Sequence, residues 1–177
     1  MDDKLPKRKL SDEQFAQIVR EYSGPLVLYA RQLCREAEDI VQEALLSLQD
    51  ERVAPTYVRT WLFRVVRHRA LNNARGEERR RKHEIKFGQE RDDWFESPST
   101  SRLEVSEAVA ALQNLPSDER ETIVARLWGG LTLGEVASLT NTSLATAQRR
   151  YVRGLEKLRE VLQVEPCSGL KKLRRKS

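Results

Sequence analysis

The chain is short of everything that builds metal centres, disulfide frameworks, membrane spans and sheets. It has two cysteines, Cys34 and Cys167, and two histidines, His68 and His83, none of them at metal-ligand spacing. No metal site is expected, and two distant thiols suit a reducing compartment. No run approaches the roughly 20 apolar residues of a membrane span. The opening MDDKLPKRKLSDEQ has no apolar centre of the kind a signal peptide needs. A soluble cytoplasmic protein with no membrane contact is therefore expected. No stretch alternates apolar and polar residues with the period of a strand, and no segment repeats. No paired-carboxylate, Cys/His or phosphate-loop arrangement stands out, so no catalytic residue and no cofactor is expected and the chain is not read as an enzyme.

What is present is charge and helical periodicity. Charged residues make up 33% of the 177 positions and hydrophobic ones 39%, a balance that favours small helical units with narrow apolar stripes over one large core. The net charge of +5 suits a polyanionic partner such as nucleic acid.

Residues 1–11 are polar and expected to fray. Phe15, Ile18, Val19 and Tyr22 predict a first helix ended by Ser23-Gly24-Pro25, and Leu26, Tyr29, Ala30 and Leu33 a second over 26–34. In REAEDIVQEALLSLQ, Ala37, Ile40, Val41, Ala44, Leu45 and Leu48 trace a core-facing stripe, and Asp39, Gln42 and Glu43 share the opposite face. After a loop holding Pro55, a long helix is predicted over Tyr57–Lys82. Val58, Trp61, Leu62, Val65, Val66 and Ala70 point one way, with Arg64, Arg67, His68 and Arg75 on a separate face. That basic face suits contact with a DNA backbone or single strand, although solvated arginines would show the same pattern.

Over 84–103 the composition shifts to acidic residues, Ser, Thr and Pro without periodicity. This reads as a flexible linker, unusual in carrying Trp94 and Phe95. A second unit follows. Val105, Ala108, Val109 and Leu112 predict a helix halted before Pro116; Ser117 and Asp118 are expected to cap the next, which carries Ile123, Val124, Leu127 and Trp128 and stops at Gly129-Gly130. Thr132 and Glu135 form a capping-box pattern ahead of Leu133, Val136, Ala137 and Leu139. Thr140-Asn141-Thr142 are turn formers, and Ser143 is a good N-cap for a last helix running to about Leu162. That helix carries Gln148, Arg149, Arg150 and Arg153. This is a helix-turn-helix layout, whose second helix enters the major groove, where Gln pairs with adenine and Arg with guanine or phosphate. An ordinary helical hairpin with a basic face is the bland alternative.

Three stretches in this order carry a resemblance: AEDIVQEALLSL, WLFRVVRHRALNNARGEERRR, and LQNLPSDERETIVARLWGGLTLGEVASLTNTSLATAQRRYVRGLEKLRE. Over residues 12–163 the chain resembles the sigma-70 superfamily of bacterial transcription initiation factors, in its small extracytoplasmic-function (ECF) type. The resemblance implies an all-α protein of two small helical domains joined by a flexible linker, the second a helix-turn-helix (winged-helix-like, without strands). It places a polar N-terminus at 1–11, region 2 at 12–83, the linker at 84–103, region 4 at 104–163 and a basic tail at 164–177. The implied partners are core RNA polymerase and promoter DNA. Many relatives are also held off by an anti-sigma factor wedged between the domains, which the resemblance leaves open here.

Carried over by residue, Asp39, Val41, Gln42 and Glu43 match the motif that binds the clamp helices of core polymerase. Arg64, Arg67, His68, Asn72, Asn73 and Arg75 lie on the helix that meets the minus-ten element, and Gln49–Thr56 matches the loop that receives a flipped-out base. Ser143, Thr146, Gln148, Arg149, Arg150 and Arg153 fall on the helix that reads the minus-thirty-five element. The family's recognition helix usually opens Ser-x-Gly-Thr-Val. Here it is Ser143-Leu144-Ala145-Thr146-Ala147, followed by Gln148 and Arg149 where Lys and Ser are common, which points to a different base preference. The competing function is a stand-alone helix-turn-helix regulator, which leaves the Asp39/Gln42/Glu43 face and the long arginine helix without a task.

Overall fold

The structure is a computed structural model that describes residues 9–51, 54–84 and 111–162. The N-terminal residues before Lys9, the expected linker with Trp94 and Phe95, most of the helix expected around Val105–Leu112 and the basic tail lie outside the described residues. Among the described residues there are helices and no strand: α1 (Asp12–Ala30), α2 (Ala37–Asp50), α3 (Val58–Glu84), α4 (Ser117–Leu127), α5 (Leu133–Thr140) and α6 (Leu144–Leu162).

The two helices expected before residue 34 are one. Helix α1 runs through Ser23-Gly24-Pro25 to Ala30. A proline inside a helix removes a backbone donor and crowds the preceding turn, at a cost of about 3 kcal/mol. The reason it does not end the helix lies just beyond it. Leu26, Tyr29 and Ala30 are all fully buried, and burying a large apolar side chain is worth about 1.5–3 kcal/mol. The start is fixed locally: Ser11 and Gln14 form a reciprocal capping box.

Helix α2 matches its predicted stripe residue for residue, with Ala37, Ile40, Val41, Ala44, Leu45 and Leu48 buried. Helix α3 follows its stripe with one addition. Phe63 is fully buried although it lies off the Val58–Leu62–Val66–Ala70 line, whereas Trp61 is only partly covered. The ring of Phe63 meets Tyr29 at 5.1 Å between centroids, tilted by 60°. Its other side is closed by the second helical unit, because a Cβ added to Gly129 would lie 2.7 Å from the Phe63 ring.

The C-terminal unit is α4, α5 and α6. The N-cap of α4 is Pro116, with no side-chain capping bond, so Ser117 is the first helical residue and does not cap as expected. Ile123 and Val124 are buried as expected, but Leu127 and Trp128 are 50% and 45% exposed. They sit at the C-terminal end of α4, where Gly130 takes a left-handed φ of 64° and turns the chain away. The capping box of α5 is present: Thr132 Oγ1 accepts from Glu135 N–H, and Glu135 Oε2 accepts from Thr132 N–H at 2.7 Å. Asn141, at φ 55°, makes the left-handed turn between α5 and α6. Helix α6 crosses α4 closely at Gly154, whose added Cβ would lie 2.5 Å from Ile123 Cδ1. Buried residues of both units join in one apolar cluster that runs from α1–α3 to Val124, Val136 and Ala147.

Candidate polymerase and nucleic-acid interfaces

On α2 the apolar stripe sinks into the core and leaves Asp39, Gln42 and Glu43 exposed together. Val41 does not share that face. It is 3% exposed and belongs to the core stripe, so it can act on a partner only by fixing the pitch of the helix. Glu43 pairs with Arg69 of α3, and Arg69 also donates to Ser47 Oγ at 2.7 Å. The acidic face is thereby braced from behind by a cation that points away from the other arginines of α3.

Helix α3 distributes its polar residues over three faces. Arg64, His68, Asn72 and Arg75 are exposed and fall at i, i+4, i+8 and i+11, on one side of the helix. His68 and Asn72 hydrogen-bond each other one turn apart. Asn73 is not with them: it lies on the α2 side and donates to Glu36 Oε2 at 2.6 Å. Arg67 lies on the third side, with Thr60 and Phe63 at i−7 and i−4, and turns toward the second unit. Its Nε donates to Glu121 Oε1 of α4 at 2.8 Å. The same carboxylate oxygen accepts from the Tyr29 hydroxyl at 2.6 Å. Desolvation by burial and the adjacent Glu121 charge push the Tyr29 hydroxyl pKa well up. Burial alone would lower the pKa of Arg67, but the hydrogen bond and charge of Glu121 outweigh it and hold it raised. A cleft of about 390 Å³ lies beside this contact, lined by Arg64, Arg67, His68 and Arg75 on one wall and by Ser138 and Leu139 of α5 on the other. A second strap joins the units at Glu135, which accepts from Thr60 Oγ1 at 2.9 Å and faces Arg59 at 3.7 Å.

The expected base-receiving loop at Gln49–Thr56 is shorter than anticipated, because α2 continues through Asp50. Residues 52 and 53 within it lie outside the described residues.

On α6, Ser143 caps the helix: its Oγ accepts from Thr146 N–H at 3.1 Å. Thr146 Oγ1 in turn accepts from Arg149 Nη2 at 3.3 Å, which aims Arg149 along the exposed N-terminal face of the helix. Arg149 and Arg153 are exposed and four residues apart; Gln148 is half-buried beside them. Arg150 is drawn the other way, with its Nε 2.8 Å from Asp118 Oδ2 of α4. It braces the helix against its neighbour. Lys157 braces it two turns on, donating to the buried Glu119 at 2.8 Å.

Sequence reasoning missed Glu121, Tyr29, Phe63 and Gly129 as a connected set. A signal for part of it was present. Glu121 sits in an apolar position next to Ile123 and Val124, and a carboxylate there needs a buried donor. The donors came from residues far away in sequence, and nothing local names them.

A basic helix-turn-helix beside a helical unit that carries an acidic face and an arginine face is the layout of a transcription initiation factor. Residues 18–80 match the family model described as sigma-70 region 2, and residues 106–158 match sigma-70, region 4. The chain is 30% identical over 133 residues to the ECF RNA polymerase sigma factor EcfG of Rhodopseudomonas palustris (strain TIE-1), covering 73% of this chain and 72% of that protein. Among solved structures it is similar to the sigma factor RpoE of Bartonella quintana, determined with the anti-sigma factor NepR. The TM-score is 0.69 at 23% identity, over 87% of this chain and 99% of that one. It is also similar to CnrH, determined with the cytosolic domain of CnrY, with a TM-score of 0.55 at 21% identity, over 88% of this chain and 92% of that one. The chain belongs to the ECF RNA polymerase sigma factors of the sigma-70 superfamily. It binds core polymerase and directs promoter recognition and transcription initiation. A stand-alone regulator is not favoured, since it gives region 2 no task. Among the described residues no helix is long and apolar enough to cross a membrane.

Proposed function

We propose a division of labour among the exposed faces of this sigma factor. Asp39, Gln42 and Glu43 meet core polymerase, with Val41 holding their helix in place from the core. Arg64, His68, Asn72 and Arg75 meet the minus-ten element as a unit, joined by Arg67 once it is free of Glu121. Asn73 supports them by tying α3 to Glu36. Arg149, Arg153, Thr146 and Gln148 read the minus-thirty-five element, while Ser143 caps and Arg150 braces the recognition helix. The reading assigns region 2 to residues 12–83 and region 4 to 104–163, with the chain acting in the cytoplasm and having no catalytic activity of its own. The sigma factor RpoE of Bartonella quintana was determined with the anti-sigma factor NepR, and this chain is proposed to have such a partner too.

The single observation that carries this reading is the separation of signs within region 2. Asp39, Gln42 and Glu43 are exposed on α2, and Arg64, His68, Asn72 and Arg75 are exposed on another side of α3. A polymerase contact and a DNA contact can then be made at once without like charges meeting. The test is Gln42→Ala combined with Glu43→Ala. Affinity for core polymerase should fall with the melting temperature nearly unchanged, because the Glu43–Arg69 pair is partly exposed and such pairs are worth about 0.2–1 kcal/mol. Unchanged core affinity would refute the assignment of that face.

A further inference from the structure

We infer that Leu144, the first residue of α6, reads a thymine of the minus-thirty-five element through its C5 methyl group, so that an apolar side chain selects one A·T pair beside the bases that Arg149 meets. The inference rests on the proposed minus-thirty-five role of α6.

Leu144 opens α6 and is 56% exposed. Three residues on, Ala147 is fully buried, so the apolar stripe of α6 enters the core one turn later and leaves Leu144 outside it. Ala145 is exposed beside it, one turn before Arg149. The hydroxyls of this turn have partners within the protein. Ser143 Oγ accepts from Thr146 N–H at 3.1 Å and lies 2.9 Å from Thr146 Oγ1, which accepts from Arg149 Nη2 at 3.3 Å. The turn therefore offers carbon to its surroundings at Leu144 and Ala145, and a guanidinium at Arg149. In a helix-turn-helix, the N-terminal residues of the second helix are the ones that meet base edges. Of the two apolar side chains, leucine is three carbons longer and reaches further into the groove.

A leucine side chain has no donor or acceptor. The major groove offers one apolar group to match it, the C5 methyl of thymine. Against other bases the contact is worse than neutral. Covering adenine N6, guanine O6 or cytosine N4 displaces the water bonded there and puts no hydrogen bond in its place. The same side chain thus selects for thymine and against the alternatives. Arginine cannot make this distinction, because its donors pair with guanine or phosphate. Leu144 and Arg149 therefore read different bases from adjoining turns of one helix.

The experiment uses holoenzyme and a promoter defined by transcription-start mapping. Each thymine of the minus-thirty-five block, on either strand, is replaced in turn by deoxyuridine, which lacks the C5 methyl and keeps every hydrogen-bonding group. Fluorescence anisotropy reads binding. For the wild type, one replacement should weaken binding about fourfold, the equivalent of about 0.8 kcal/mol for one buried methyl group. Leu144→Ala should weaken binding to the all-thymine promoter by at least as much and lose the sensitivity at that position alone. Leu144→Met, which keeps an apolar side chain of similar reach, should retain it. Val161→Ala trims an equally exposed apolar side chain near the far end of α6 and should leave affinity and the deoxyuridine profile unchanged. Circular dichroism confirms that each variant is folded. A wild type indifferent to deoxyuridine at every position would overturn the inference, as would a block made only of G·C pairs. So would a Leu144→Ala variant with the wild-type profile, or a loss in Val161→Ala equal to that in Leu144→Ala. A Leu144→Ala loss that is the same on intact and scrambled blocks would also overturn it and assign the side chain to a polymerase contact. Arg149→Ala separates the inference from the reading beneath it. If Arg149→Ala and scrambling of the block both leave binding unchanged, α6 does not read the element and that reading fails. If both weaken binding while deoxyuridine does not, only the assignment of Leu144 fails.

Discussion

Arg149 and Arg150 are adjacent on the recognition helix and chemically identical, yet they make different contacts, and the proposed reading gives them different tasks. Arg149 is exposed and is steered by Thr146. Arg150 is 2.8 Å from Asp118, with side chains 27% and 47% exposed. Replacing Arg149 by alanine should leave stability unchanged and remove one base-reading contact, worth about 1–3 kcal/mol, or roughly a 5- to 150-fold loss in promoter affinity. The loss should vanish on a promoter whose minus-thirty-five block has been scrambled, because that promoter offers the arginine nothing to read. Replacing Arg150 should instead cost about 0.2–1 kcal/mol of stability, the worth of a partly exposed ion pair. Any effect on DNA should be equal on intact and scrambled promoters, as for a residue that positions the helix or touches phosphate. The assay is holoenzyme binding to both promoters, with urea denaturation of the free factor alongside. If Arg150→Ala abolishes discrimination between the two promoters and Arg149→Ala preserves it, the division of roles derived from the Asp118 contact is wrong.

Other consequences follow from single contacts. Gly154→Val should destabilise the chain by about 1–3 kcal/mol through overpacking, read as a lower urea midpoint, because an added Cβ already meets Ile123 Cδ1 at 2.5 Å and Cγ1 at 3.3 Å; an unchanged midpoint would show that α4 and α6 can separate freely. Burial pushes the Glu135 carboxyl up, but hydrogen bonds from the Thr132 backbone and hydroxyl and from Thr60, with the charge of Arg59, outweigh it and hold its pKa below the usual carboxylate range. A group depressed on folding stabilises the fold above its unfolded pKa and stops doing so as pH falls through its folded pKa. The melting temperature of Glu135→Gln should therefore lie below wild type at neutral pH and approach it as pH falls below the unfolded carboxylate value of about 4.3 and on through the lower folded one; parallel curves would contradict this. Burial, with Glu77, Glu36 and Glu38 nearby, pushes the Cys34 thiol up to about 11. Iodoacetamide at pH 8 should leave Cys34 unmodified in the native protein and label it once urea unfolds the chain, as read by peptide mapping.

What was legible in the sequence was whatever depends on neighbours along the chain. The α2 stripe, the Thr132/Glu135 capping box, the Ser143 cap and the Gly129-Gly130 stop are all local, and each is found where periodicity and turn chemistry put it. Pro25 misled because the local cost of a proline is overruled by the burial of Leu26 and Tyr29, which only the fold reveals. The candidate site divides in the same way. Helical spacing correctly put Arg64, His68 and Arg75 on one face. It could not tell that Arg67 would be turned aside by Glu121, 54 positions on. Likewise Asn73 and Arg150 look like DNA contacts by residue type, and spacing along one helix does not name Glu36 and Asp118, which their side chains reach. Phe63 is buried by contact between units, which no stripe within a single helix encodes.

The central claim is that this chain gives core RNA polymerase its promoter choice. Transcription-start mapping on a fragment library, with core polymerase in the presence and absence of the protein, tests it most directly. New, discrete starts that share two upstream sequence blocks, lost on combining Arg149→Ala with Arg153→Ala, are predicted. No new starts, with the protein binding DNA in the absence of polymerase, would contradict the account and restore the stand-alone regulator.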